Sequence, residues 1–379
     1  MYLDHAASTP MRPEAIAAML PFLAEQAGNP SGSHSASRAT KTALEEARET
    51  VAAVCGARPE EVVFTGGGSE GDNLAVKGAA WSRRGELDGI VTTGIEHKAV
   101  LGAATRLERE GWRVARVGAK SEGVVDLDRL AEELDDRTAV VSVMLVNNET
   151  GIVQPLDAVA ELVRDRAPRA VLHTDAVQAP QWLDLRTSTS PAQLVTISGH
   201  KFGGPKGVGA LIARESVPLT PLIEGGGHER DRRAGTQNVA GIVALATALE
   251  LTDARRPQET ARIAELRDEL ESTLYAAVEA FAVNGARDRR VAGVLHGAFA
   301  GLEAETLLVA LDQQGVYAAS GSACSSGAID PSHVLLAMDM PRERALSSVR
   351  FSLGYASTQA DVDEACRVIP EVVEKLRAA

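Results

Sequence analysis

The chain has 379 residues, 45% apolar and 24% charged, the composition of an ordinary globular protein with room for two or three domains. A net charge of -13 argues against a broad phosphate-binding face, so direct nucleic-acid binding is not expected, and no apolar run reaches the roughly 18 residues of a membrane span. Cys55, Cys324 and Cys366 form no disulfide framework or metal-ligand spacing, and the N-terminus lacks the basic-then-apolar pattern of a secretory signal, so a cytoplasmic location is expected.

The first residues read as short and extended. Met11-Arg12-Pro13 opens a helix, with Pro13 where a missing N–H is tolerated, and Ala15 to Leu23 supply its apolar face. His34 to Val54 reads as a second helix, charged on one side and ended by Gly56. From Glu61 short apolar strands alternate with helices, the pattern of a parallel sheet covered on both faces. The predicted strands are 62–65, 90–93, 113–117, 139–146, 170–173, 194–198 and 208–213, which make a mostly parallel seven-stranded sheet. The intervening helices are 69–81, 98–110, 127–134 and 156–166. Gly235 to Thr252 reads as a long helix, and Asp253 to Pro257 interrupts the pattern with charge and a proline. The domain boundary is placed there. It divides an N-terminal segment 1–12 that packs with the small domain, a large α/β domain 13–254, and a smaller α+β domain 255–379. The last of these has a helix 259–280, strands near 281–284 and 290–296, a helix 304–314 and a closing helix from Asp361.

The most informative stretch runs from His173 to Lys201. Asp175 and Lys201 each follow an apolar run, which places them past the C-terminal ends of two strands, where α/β sheets carry their chemistry. A lysine flanked by Ser198 and His200, with an aspartate upstream, suits pyridoxal phosphate, which needs an amine, an acid for its ring nitrogen and donors for its phosphate. Gly66-Gly67-Gly68 followed by Ser69 reads as a strand-to-helix turn able to take an anion; it lacks a Walker lysine, so a nucleotide loop is not expected. Each residue alone has a plainer reading: Ser69 as a helix N-cap, Asp175 as a turn cap, a lysine such as Lys206 as a solvated charge, His97 as a helix-start histidine.

Several motifs occur together and in order: Leu3-Asp4-His5-Ala6-Ala7, Gly28-Asn29-Pro30-Ser31, Phe64 to Glu70, Glu96-His97, Asn147 to Gly151, the His173 to Lys201 stretch, Arg233 to Asn238, and Gly321 to Cys324. In these the chain resembles the cysteine desulfurases, grouped with the class V aminotransferases in fold type I of the pyridoxal phosphate enzymes. The resemblance implies a homodimer that converts L-cysteine to L-alanine and carries the sulfur as a persulfide on Cys324. The acceptor would be an iron-sulfur scaffold or a tRNA-thiolation enzyme. Lys201 would take the cofactor aldehyde and move the Cα proton, Asp175 would face the ring nitrogen, Gln178 the phenolate oxygen, and His97 would lie over the ring. Gly68, Ser69, Ser198 and His200 would hold the phosphate, with Thr236 reaching the neighbouring subunit's phosphate. Asn148 would touch cofactor and substrate, and Arg350 the substrate carboxylate, while no metal or resident cluster is implied.

Cys324 lies in a run of small residues, Ser320 to Gly327, that is expected to be mobile and so suited to a travelling thiolate, whereas Cys55 and Cys366 sit in apolar helical contexts and are expected to be silent. Ser69 replaces a more usual threonine, His5 an asparagine and His228 a glutamine. The alternatives are a selenocysteine lyase or aminotransferase of the same fold, in which a mobile thiol has no use, and a non-catalytic sulfur-relay partner, which the joint presence of Lys201, Asp175, His97 and Cys324 opposes.

Overall fold

Short strands rich in Val, Ile, Leu and Ala can be buried on both faces only if helices cover both, and the fold does this. The computed structural model describes residues 1–214, 217–320 and 330–378. Strands β1 (Val62–Thr65), β2 (Gly89–Thr93), β3 (Arg113–Val117), β4 (Thr138–Ser142), β5 (Val171–Asp175), β6 (Leu194–Ser198) and β7 (Gly209–Ala213) form one sheet in the order β1-β7-β6-β5-β4-β2-β3. β7 runs antiparallel to both β1 and β6, and the remaining pairs are parallel. All are buried along their length except the edge strand β3, whose Arg113 is paired with Asp88 and Asp135.

A second sheet has the order β10-β9-β8, from β8 (Phe281–Val283), β9 (Val294–Phe299) and β10 (Ser348–Ser352), all antiparallel. Its core joins Phe281, Phe299 and Phe351 to Leu266, Leu270 and Ile369, and takes in Leu3 from the N-terminal segment. The large sheet has its own cores, one around Ile197, Phe202 and Leu245 and one around Leu74, Val100 and Leu211.

Three expectations need correction. The interruption at Asp253 to Pro257 does not occur, because a single 39-residue helix, Val239–Ala277, runs through it. A proline costs a helix interior about 3 kcal/mol. Tertiary contacts on both sides outweigh that: Arg186 holds Asp253 at 2.8 Å, and Arg12 holds Glu259 at 2.8 Å. The strand expected over 139–146 ends at Ser142 as a ladder, although the N–H groups of Val143 and Leu145 still donate to the carbonyls of His173 and Asp175. The first helix, Pro13–Ala24, buries only Ala15 of the face expected inside, leaving Ile16, Leu20 and Leu23 exposed at 43%, 56% and 62%. Among the described residues no helix is long and apolar enough to cross a membrane.

Candidate active site

β5 and β6 lie side by side in the middle of the sheet and run parallel, so their chains leave it at the same edge. β5 ends on Asp175, whose carbonyl accepts from Leu145 N at 2.9 Å and whose Oδ1 accepts from Val177 N at 2.9 Å. β6 ends on Ser198 and turns directly through Gly199–Lys201. Only a glycine fits at 199, since a Cβ there would stand 2.9 Å from the Pro205 carbonyl oxygen. The Gln181 amide fixes the turn by donating to the Lys201 carbonyl at 2.6 Å. The Lys201 ammonium then reaches back to the N-terminal segment, donating to the carbonyls of Ala6 at 2.6 Å and Ala7 at 2.9 Å.

These strand ends open on a cleft of about 730 Å³. The glycine turn after β1 lines one side, where Gly67 takes a φ of 138° and Gly68 begins a helix that continues through a π turn to Trp81. Glu70 braces the turn, accepting from Gly66 N at 2.8 Å and from Arg233 Nε at 2.9 Å. A Cβ on Gly68 would approach Val177 to 2.9 Å, so the backbone amides at this turn stay unscreened by a side chain. The three-stranded sheet lines another side, where Arg350 of β10 enters with Nη1 on the Asn148 carbonyl at 2.6 Å and Nη2 on Asp4 Oδ1 at 2.7 Å.

Burial dominates the electrostatics. A nitrogen of His97 and one oxygen each of Asp72 and Asp175 lie within 4.8 Å of one another. Burial raises Asp175 above the usual carboxylate range, opposed by His97, the Val177 amide and Lys201, so a cationic group placed beside it would favour its ionised form. Asp72 is pushed well above the usual carboxylate range, by burial and by Asp175, with a hydrogen bond from Thr196 opposing. Glu96, fully buried, is raised to about 8 by burial, despite accepting from Met144 N and from Thr93 Oγ1, both at 2.8 Å. Burial lowers His97, opposed by Asp175, and its Nδ1 accepts from Ala99 N at 3.2 Å, so the neutral ring carries its proton on Nε2. Burial and the two lysines beside it lower His200 to about 4.

The structure brings Gly68, Ser69, His97, Asn148, Asp175, Gln178, Ser198, His200, Lys201 and Arg350 to this one cleft. Gln178 spends its amide on the Ala6 carbonyl at 2.8 Å. Lys206 is exposed, as expected of a solvated lysine, yet it also stands on the rim. Thr236 does not line the cleft; it is exposed, and the helix after it starts at Val239 with Asn238 as its cap. Cys324 lies outside the described residues. Asp72, Glu96 and the carbonyls of Ala6 and Ala7 were not singled out from the sequence. Glu96 left a trace in the Glu-His pair, Asp72 one in its place a turn after Ser69, and backbone carbonyls leave none.

The model of the class-V aminotransferases matches residues 1–365. A cysteine desulfurase IscS of Clostridium botulinum is 41% identical over 379 residues, covering all of this chain and 95% of the relative. A cysteine desulfurase of Nostoc is 43% identical over 378 residues, covering 94% of its own length. Among solved structures, a NifS-like protein superposes with a TM-score of 0.93 at 33% identity over 99% of both chains. SspA in complex with cysteine does so with a TM-score of 0.83 at 31% identity, covering 94% of this chain and 99% of SspA.

Proposed function

The chain belongs to the class-V aminotransferase family and, within it, to the cysteine desulfurases, and from that premise we propose how its cleft works. The observation that carries the proposal is a lysine amine and a buried carboxyl in one cleft where buried polar atoms such as Asn148 Oδ1, His200 Nδ1 and Arg350 Nε have no hydrogen-bond partner among the described residues. Such atoms fit a polar ligand that supplies their missing bonds, and pyridoxal phosphate matches the donor set. When bound, that group supplies an aldehyde for an amine and an electron-withdrawing ring that stabilises negative charge at a substrate Cα.

Gly68, Ser69, Ser198 and His200 hold the phosphate. Thr236, exposed and away from its own chain's cleft, serves the phosphate of a second copy, and the exposed Ile16, Leu20 and Leu23 suit a homodimer. Asp175 would hold the ring nitrogen of the bound group as a carboxylate. His97 would relay protons through Nε2 beside the bound group, and Lys201 would move the Cα proton once its amine is neutral. Arg350 and Asn148 orient the substrate carboxylate. The Cys324 thiolate attacks the sulfur of L-cysteine. The Cβ–S bond breaks, its electron pair stays with carbon and is protonated, L-alanine leaves, and the sulfur remains on Cys324 as a persulfide. An iron-sulfur scaffold or a tRNA-thiolation enzyme of the cytoplasm is the class of acceptor that consumes it.

Incubation of the holoenzyme with L-cysteine tests this. Alanine should accumulate and one sulfur should be found by mass spectrometry on the peptide holding Cys324. Sulfur on Cys55 or Cys366, or alanine without any protein persulfide, would contradict it.

A further inference from the structure

Asp4 has no part in the reading above, yet it makes the one carboxylate bond to Arg350 found among the described residues. Arg350 has a side chain only 5% exposed, and burying a guanidinium is unfavourable unless it is paired. Its five N–H donors are partly used, by Asn148 O on Nη1 and by Asp4 Oδ1 on Nη2. Nε is buried without a partner. Each terminal nitrogen keeps one further N–H, so a two-pronged edge stays open to a second carboxylate.

The backbone that carries Asp4 is held on both sides. Leu3 N donates to Tyr317 O at 2.9 Å, Ser352 N donates to Leu3 O at 2.7 Å, and His5 N donates to Ser352 O at 3.1 Å. Ala6 N donates to Ser352 Oγ at 2.9 Å, and the buried His5 ring meets Thr9 Oγ1 at 2.6 Å. Two residues on, the same segment offers the carbonyls that receive the Lys201 ammonium. One rigid stretch thus spaces the amine and the guanidinium that would meet the two ends of a single α-amino acid.

We propose that Asp4 is the positioning residue for Arg350, fixing its guanidinium so that the open edge meets the substrate carboxylate and thereby setting the affinity for L-cysteine. This rests on the reading in which Arg350 receives that carboxylate. Asp4 is negative and would also repel the substrate, but its side chain is 23% exposed and partly screened, whereas a loose arginine would lose the fork geometry altogether.

The test is steady-state kinetics of the holoenzymes Asp4→Ala, Asp4→Asn and Arg350→Ala, with calorimetric binding of L-alanine as a readout independent of turnover. Asp4→Ala should raise KM for L-cysteine and Kd for L-alanine about tenfold, with kcat within about threefold. Asp4→Asn keeps an acceptor oxygen and should fall between it and the parent. Inhibition by 2-aminoethanethiol, which has no carboxylate, should not change, and the cofactor absorbance per protomer should match the parent. If Arg350→Ala weakens L-cysteine while both Asp4 variants leave KM unchanged or lower it, Asp4 does not position Arg350. Equal weakening of 2-aminoethanethiol, or loss of cofactor in both Asp4 variants, would also overturn the proposal. If Arg350→Ala leaves L-cysteine unaffected, the assignment of the carboxylate to Arg350 fails instead.

Discussion

The cleft has two walls built on opposite principles. The sheet-edge wall, with Asp175, Ser198, His200 and Lys201, follows from local chain order: a strand ends, a turn begins, and the residue at the end is the chemical one. The N-terminal wall, with Ala6 and Ala7 in the lining and Asp4 bonded to Arg350, works through partners 172 to 346 residues away and mostly through backbone carbonyls. The first wall is specified by side chains and tolerates little change in them. The second is specified by where a short extended segment docks, so it should respond to loosening of its anchors.

The largest effect should come from the first wall. Lys201→Ala should lower kcat at least a thousandfold and leave the protein without its visible cofactor band, since both the amine and the proton carrier are lost. Retained colour with near-normal turnover would place the amine elsewhere. Asp175→Asn should lower kcat roughly a hundredfold or more, because a neutral amide cannot hold a cationic ring nitrogen. Its melting temperature should be no lower than the parent's, because burial already disfavours charge at 175. A folding defect without a kcat defect would make Asp175 structural.

Glu96→Gln separates the site's charge from its shape. The folded-state pKa of Glu96 is raised to about 8 from an ordinary value of 4.5. Below that ordinary value the proton is bound in both folded and unfolded chains. As pH rises the unfolded chain loses it first, so this contribution to stability falls until about pH 8 and then levels off. Glutamine does not titrate and can keep the bonds from Thr93 and Met144. The variant's melting temperature, relative to the parent's, should therefore climb by several degrees between about pH 5 and pH 8. A constant difference across that window would mean that Glu96 is ionised in the fold.

The smallest effect should come from the second wall. Ser352→Ala strips the hydroxyl that receives Ala6 N, leaving a buried N–H unpaired, and should lower the melting temperature by roughly 2 to 4 °C while the cofactor spectrum persists. Loss of the cofactor in this variant would show that the two walls are not separable.

What could be read from the sequence follows the same division. Asp175, Lys201, Ser198 and the glycine turn after Thr65 could be found because strand periodicity and turn glycines place them, and the cleft contains them all. The seven strands were legible for the same reason, with the antiparallel β7 a matter of pairing that composition does not encode. Pro257 misled because helix-breaking is a local preference, and the pairs Arg186–Asp253 and Arg12–Glu259 act across the fold. Ile16, Leu20 and Leu23 misled because an apolar stripe announces burial without saying against what. Asp72 and Glu96 left only faint traces in the sequence, because what sets them apart is the depth at which they sit.

The most direct test is borohydride reduction of the protein loaded with pyridoxal phosphate, followed by peptide mass mapping. The account predicts one pyridoxyl group per chain, on the peptide containing Lys201 and on that side chain, and none in Lys201→Ala. Modification of Lys206 or any other lysine, or no stable modification, would contradict it.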